Sequence, residues 1–316
     1  MFDPLWMEAA VAGCFGLLIG SFLNVVIYRL PKILQRQWLI ESSELLSDQD
    51  ALTQSARLSP PEARQLATAN RTLMTAMDQL PPFNLMLPRS RCQKCGHAIR
   101  WYENIPVLSF IALKGQCSVC KTAISLRYPA IEILTGILFG LTSVHYGLTF
   151  TGLAWASFAS ILIAQFFIDF DTQILPDSLN YLLLWLGLAA AALGWTVPLS
   201  SAVWGGIVGY MSLWLLYHAY RLATGKQGMG YGDFKLLAAL GVWFGGESLV
   251  AIILMSSVVG TVIGLTLLGV GRLANKNIPI AFGPFLAGAG LLCLAMGPGQ
   301  LQARVPFAFP FTPLVS

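Results

Sequence analysis

The chain has 316 residues, 56% of them hydrophobic and only 11% charged. A soluble domain carries about 25% charged residues, so the composition excludes an ordinary soluble enzyme and points to a polytopic membrane protein. The net charge of +4 is small; its placement informs more than its size, and no nucleic-acid partner is expected.

A transmembrane helix needs about 20 largely apolar residues. The first candidate is 9–28. No Lys or Arg precedes it, so it lacks the basic start of a cleaved signal peptide and reads as a retained span. A long polar region, 29–127, follows. Its part 41–80 reads as soluble helix. Ser59-Pro60-Pro61-Glu62 has the form of a capping box with Pro in the first turn. Leu66, Leu73, Met77 and Leu80 then form a loose apolar stripe, predicted to pack on the rest of the insertion.

Further apolar stretches lie at 131–146, 152–168, 179–195, 202–217, 249–270 and 282–296. The stretch 234–246 is also apolar but has only 13 residues. At about 1.5 Å per residue it is too short to cross alone. It reads as a short tilted span or as a half-helix buried by its neighbours. The predicted fold is therefore all-α and polytopic, with about eight transmembrane helices and one polar insertion. The expected division is a first span over 1–28, a cytoplasmic insertion over 29–128, a membrane bundle over 129–300 and a tail over 301–316.

Positive charge sets the orientation. Segments 29–127, 221–235 and 272–276 hold 18 of the 19 Lys and Arg residues. With eight spans they all fall on one side, opposite Arg304. That side is expected to be the cytoplasm, with both termini outside.

The insertion also carries Cys92-Gln93-Lys94-Cys95 and Cys117-Ser118-Val119-Cys120. Each pair suits one edge of a tetrahedral ion, and four thiolates suit a closed structural zinc site. The gap of 21 residues lies just past the usual window of about 15–20 for this pattern. Two disulfides or unligated thiols are the alternatives, disfavoured on a reducing cytoplasmic face. His97 is an alternative ligand or a surface residue. Cys14 and Cys293 lie in spans and read as small packing residues.

Ionisable groups at membrane depth are costly and face a cavity or a partner. Asp169 and Asp171 close one span, Asp177 opens the next, and Asp233 precedes the short apolar segment. In the eight-span arrangement all four lie at cytoplasmic span ends. Glu132 lies one turn into a span and reads as a buried structural partner. Two facing carboxylates hydrolyse a peptide bond when one, ionised, activates water and the other, protonated, donates to the substrate. Like charge at close range makes such a pair titrate as a unit. Gly230 and Gly232, just before Asp233, permit close backbone approach to a substrate or a positive φ. Taken alone, a Gly-x-Gly-Asp turn also suits a helix start that binds an anion.

The chain resembles the bacterial type IV prepilin peptidases. The resemblance rests on Gly20-Ser21-Phe22-Leu23-Asn24, Arg29-Leu30-Pro31, the two Cys pairs with Glu103-Asn104-Ile105-Pro106 between them, and Arg127-Tyr128-Pro129. It continues through Ile168-Asp169-Phe170-Asp171, Leu175-Pro176-Asp177, Gly228-Met229-Gly230-Tyr231-Gly232-Asp233 and Phe282-Gly283-Pro284. It implies an intramembrane aspartyl protease with Asp169 and Asp233 catalytic, Gly230 and Gly232 next to the substrate, and a zinc-binding tetrad Cys92, Cys95, Cys117 and Cys120. It also implies prepilin and pseudopilin substrates cut on the cytoplasmic side of the inner membrane. Methylation of the new N-terminus by S-adenosylmethionine rests on the resemblance alone; no nucleotide-binding pattern follows a strand. Two competing readings are an ion-coupled transporter and a non-enzymatic pilus or secretion assembly protein. A presenilin-like protease is a third, against which the Cys-rich insertion argues.

Overall fold

A computed structural model describes residues 4–226, 228–269 and 281–297. Within them the chain forms eleven α-helices and two short 3-10 turns, with no strand beyond two isolated bridges. The helices are α1 (Pro4–Ser47), α2 (Gln49–Gln54), α3 (Pro60–Asp78), α4 (Leu108–Ala112), α5 (Arg127–Tyr146) and α6 (Phe150–Thr172). They continue with α7 (Asp177–Ala192), α8 (Leu199–Thr224), α9 (Tyr231–Phe244), α10 (Leu249–Gly269) and α11 (Gly283–Met296). Each predicted apolar stretch falls largely on a helix among the described residues. Four helical segments, Leu5–Ser47, Phe150–Thr172, Leu199–Thr224 and Gly246–Leu267, are by length and composition able to cross a membrane. The loop 272–276 and the tail 301–316 lie outside the described residues.

The chain divides into two units, Met1–Asn24 with Arg100–Ser316, and Val25–Ile99. In the larger unit the centre is α9. From Asp233 to Phe244 every residue on it except Lys235 is buried, so the segment is an enclosed half-helix rather than a lipid-facing span. Helices α7, α8, α10 and α11 surround it. Its approach to α8 is set by missing side chains. A Cβ on Gly205 would overlap the carbonyl of Gly241, and a Cβ on Gly241 would overlap that of Gly205. One turn along α8, a Cβ on Gly209 would sit 2.7 Å from Leu237 O. In lipid, where apolar burial between helices gains little, such backbone-to-backbone contact is the main source of association.

Helix α6 runs antiparallel to α9. Trp155 and Phe158 of α6 meet Trp243 and Phe244 at the far end of α9, with ring centroids 4.9–5.4 Å apart. That pairing leaves the C-terminal end of α6 beside the N-terminal end of α9. The Gly20-Ser21-Phe22-Leu23-Asn24 motif joins α1 to α5. Gly20 lies against Glu132 Cα, Ser21 bonds the Glu132 carboxylate, and Asn24 Nδ2 donates to Tyr128 O at 3.1 Å. Glu132 also accepts from the Val107 backbone N–H at 2.8 Å. Val107 has φ +59°, a position a β-branched residue adopts only when held there. Buried Glu132 therefore serves as the structural anchor expected of it, tying the loop after Glu103-Asn104-Ile105-Pro106 to the bundle.

In the smaller unit α1 runs on as helix to Ser47, past Arg29 and through Pro31. Ser59 donates from its N–H and its hydroxyl to Glu62 Oε2, at 2.9 and 2.6 Å, which holds the Glu62 carboxyl below the usual carboxylate range. The predicted stripe on α3 is corrected in part. Met77 is buried, but Leu66, Leu73 and Leu80 are exposed; the inward face is Ala63, Ala67, Asn70 and Met77. Asn70 Nδ2 donates to Ser43 O at 2.5 Å and Ser47 Oγ at 2.8 Å on α1. Arg29 is buried, and its guanidinium donates to the carbonyls of Asn84, Leu85 and Pro88.

Because Gly205 and Gly241 meet backbone to backbone, Gly241→Ala should cost about 1–3 kcal/mol by overpacking. Gly269→Ala, with nothing within 4 Å of the added Cβ, should change little. Thermal unfolding of both variants in the same detergent checks this.

Candidate active site

Three helix ends and one loop build the site. Asp169 lies in the last turn of α6, Asp233 in the first turn of α9, and Gly283 at the start of α11. Leu175, between α6 and α7, touches both glycine-bearing helix starts. A Cβ on Gly232 would be 2.8 Å from Leu175 Cβ, and one on Gly283 would be 2.9 Å from Leu175 Cδ1.

Asp169 and Asp233 are buried, with 4% and 7% exposure. They lie close enough for a charge on Asp169 to bear on Asp233. The Gly283 N–H donates to the Asp169 carboxylate and the Gly230 N–H to that of Asp233. Asp169 Oδ2 and Asp233 Oδ1 have no hydrogen-bond partner among the described residues. Asp233 stands in the first turn of its helix, where the helix dipole favours negative charge. Pro284 suits the first turn of α11, where its missing N–H is not needed. Gly283 carries its N–H at that same start, without a side chain in the way.

The other two acids at this end are paired with cations. Asp171 bonds Arg127 at 2.7–2.8 Å, and the guanidinium also lies 4.7 Å from the Phe167 ring centroid. Asp177 takes Lys235 on both carboxylate oxygens, at 2.6 and 2.7 Å. The loop 169–177 has no Lys or Arg of its own, but these two cations, supplied from α5 and α9, reduce its pull on a basic peptide.

Neither glycine before Asp233 has positive φ. Gly230 is extended, at φ −81° and ψ 149°. Its absent Cβ would meet nothing closer than 3.8 Å, which leaves space beside the acid. Gly232 is occupied by Leu175, so its small size serves packing at that face. Gly283 was present in the motif pattern without an assigned role. Only proximity reveals it, since a Cβ there would overlap Asp169 Oδ2.

The two Cys pairs form matching turns. Cys92 N–H donates to His97 O at 2.8 Å and Gly96 N–H to Cys92 O at 3.0 Å. Cys117 N–H donates to Thr122 O at 2.9 Å and Lys121 N–H to Cys117 O at 3.1 Å. Gly96 and Lys121, each directly after its pair, both have positive φ, at 72° and 56°. The four Sγ atoms lie within 4.8 Å of one another. That spread and an all-thiol donor set fit a zinc ion held by Cys92, Cys95, Cys117 and Cys120.

Residues 14–146 match the bacterial peptidase A24 N-terminal domain, and residues 156–265 match the type IV leader peptidase family. The chain is 44% identical over 293 residues to a prepilin leader peptidase/N-methyltransferase of Stutzerimonas stutzeri, covering 93% of this chain and 92% of that protein. It is 43% identical to the protein of that name from Pseudomonas aeruginosa, with the same coverage. The one from Neisseria gonorrhoeae is 44% identical over 280 residues, 89% of this chain and 87% of the relative. The chain belongs to the type IV leader peptidase family. No solved structure matches it. The two family domains account for most of the chain, and the acid pair falls in the second of them.

Gly283→Ala should push Asp169 out of line and lower peptidase turnover by about 100-fold, the usual scale for a misplacement near 1 Å. Gly288→Ala, whose Cβ would make only a 3.8 Å contact with Phe166, should stay near wild type. Steady-state turnover of the two purified variants checks the difference.

Proposed function

We propose that this protein removes the leader peptide of type IV prepilins and pseudopilins with Asp169 and Asp233 as the catalytic pair, and then methylates the new N-terminus. The observation that carries the reading is the pair of buried carboxylates at one end of the bundle. Each is held by one backbone N–H and each has one oxygen without a partner among the described residues. Family membership and the names of the relatives support the same chemistry.

In the proposed reaction the ionised acid takes a proton from water as the oxygen adds to the scissile carbonyl carbon. The protonated acid donates to the carbonyl oxygen. The resulting gem-diol collapses, the C–N bond breaks, and the departing amine takes up a proton. The acid protonated on addition supplies that proton and the other takes one from a gem-diol hydroxyl, so the acids exchange roles on addition and return to their starting states on collapse. The extended segment at Gly230 and the space beside it suit a substrate backbone laid next to Asp233. S-adenosylmethionine supplies the methyl group to the freed amine. The four cysteines hold a structural zinc, since a closed set of four thiolates leaves no position for substrate.

The reading places the protein in the bacterial inner membrane with about eight spans. The basic segments and the acid pair face the cytoplasm, and both termini lie outside. The support is the charge asymmetry, 18 of 19 Lys and Arg on one side.

Asp169→Asn and Asp233→Asn nearly preserve shape and remove the titrating group. Each should lower cleavage of a model prepilin by about 10³-fold or more while the protein stays folded, in line with loss of a general acid or base. Either variant cutting near the wild-type rate moves the assignment to Asp171 or Asp177. Metal analysis should find about one zinc per chain in wild type and a sharp loss in Cys92→Ser and Cys117→Ser. Unchanged zinc in both serine variants would remove the thiolate site.

A further inference from the structure

One turn before Asp169 on α6 lies Gln165, four residues back and on the same face of the helix. Its Nε2 donates to Asn180 Oδ1 on α7 at 2.7 Å. Both side chains are wholly enclosed, with 0% and 1% exposure. Each also keeps one polar atom, Gln165 Oε1 and Asn180 Nδ2, without a partner among the described residues. A half-satisfied amide pair inside an apolar bundle is costly. Packing alone would be served by the residue types that surround it on α6, where Ile161, Leu162 and Ile168 are buried.

The position of the pair shows what it adds. Helix α7 presents Asp177, Asn180 and Leu183 three residues apart, along one side. Asp177 bonds Lys235 of α9. The Leu183 carbonyl accepts from Trp243 Nε1 of α9 at 2.9 Å. Between those two bonds to the helix of Asp233, Asn180 makes its bond to the helix of Asp169. Thus α7 is pinned to both acid-bearing helices along a single stripe. Apolar contacts let a helix slide or rotate by a fraction of a turn; a hydrogen bond one turn from Asp169 does not.

We propose that Gln165 and Asn180 are positioning residues for the peptidase reaction, fixing the rotation of Asp169 toward Asp233 by bonding α6 to the helix that also holds α9. The proposal rests on the reading of Asp169 and Asp233 as the catalytic pair.

The test uses the full-length protein in lipid nanodiscs with a model prepilin. Gln165→Met and Asn180→Leu are compared singly and together, with Asp169→Asn alongside. Each single change strands one buried amide and should lower both melting temperature and cleavage. The double variant removes both amides and should regain the melting temperature of wild type. Its kcat should remain about 10- to 100-fold down, with KM little changed, since substrate binding is left intact. Recovery of both stability and kcat in the double variant would show the pair to be structural only and overturn the proposal. If the double variant does not fold, the exchanged pair Gln165→Asn with Asn180→Gln decides. It keeps two amides across the same gap and should cut within a few-fold of wild type; a folded exchanged pair that does not cut overturns the proposal. Should Asp169→Asn cut normally, the acid-pair reading is what has failed, and this inference falls with it. An inert Asp169→Asn beside a fully active double variant sinks the inference alone.

Discussion

Burying two carboxylates at one end of an apolar helix bundle is the requirement that the rest of the molecule is arranged around. Each buried polar atom without a partner costs about 1–3 kcal/mol, and charge at membrane depth costs more. The arrangement persists because the surrounding helices leave the acids little freedom to move elsewhere. Glycine contacts bring α8 against α9 until their backbones touch. The aromatic cluster of Trp155, Phe158, Trp243 and Phe244 locks α6 antiparallel to α9 at the opposite end. Near the site the Asp177–Lys235 and Asn180–Gln165 bonds of α7 then tie the two acid-bearing helices together. Rigidity is thus supplied at both ends of the same pair of helices, by aromatic packing and the Leu183–Trp243 bond at one and by polar bonds at the other.

Much of this was legible in sequence because hydropathy is a strong signal over 20 residues. Among the described residues each apolar stretch falls largely on a helix, and the 13-residue stretch is the enclosed half-helix that its length allowed. Hydropathy reports contact with lipid, not helicity, so it gave no sign that α1 continues through Arg29 and Pro31 to Ser47. The stripe on α3 misled for a related reason. Leu66, Leu73 and Leu80 look like a core face, but the face turned inward is offset from them and carries Ala63, Ala67, Asn70 and Met77. Asp169 and Asp233 stood out as acids at span ends. Their meeting, 64 positions apart in the chain, required the fold. The roles of Gly283, Gln165 and Asn180 were not readable. Gly283 acts through the side chain it lacks, and a lone Gln or Asn in an apolar run is indistinguishable from a tolerated polar residue.

The four aspartates at this end separate by their partners, and the separation follows from chemistry. Asp171 and Asp177 are exposed and each is paired with a cation. A cation placed beside Asp169 or Asp233 would favour the ionised form and work against the shared proton that the proposed reaction uses. Among the described residues neither buried acid has a Lys or Arg partner. They have instead one neutral N–H each, which orients a carboxyl group and favours its charged form less strongly than a cation would. Arg127 and Lys235 lie close by and are occupied by the outer acids. Those ion pairs contribute little stability at a wet surface. What they do is hold two nearby cations away from the inner pair, so that the charge environment of Asp169 and Asp233 is set by each other and by two backbone amides.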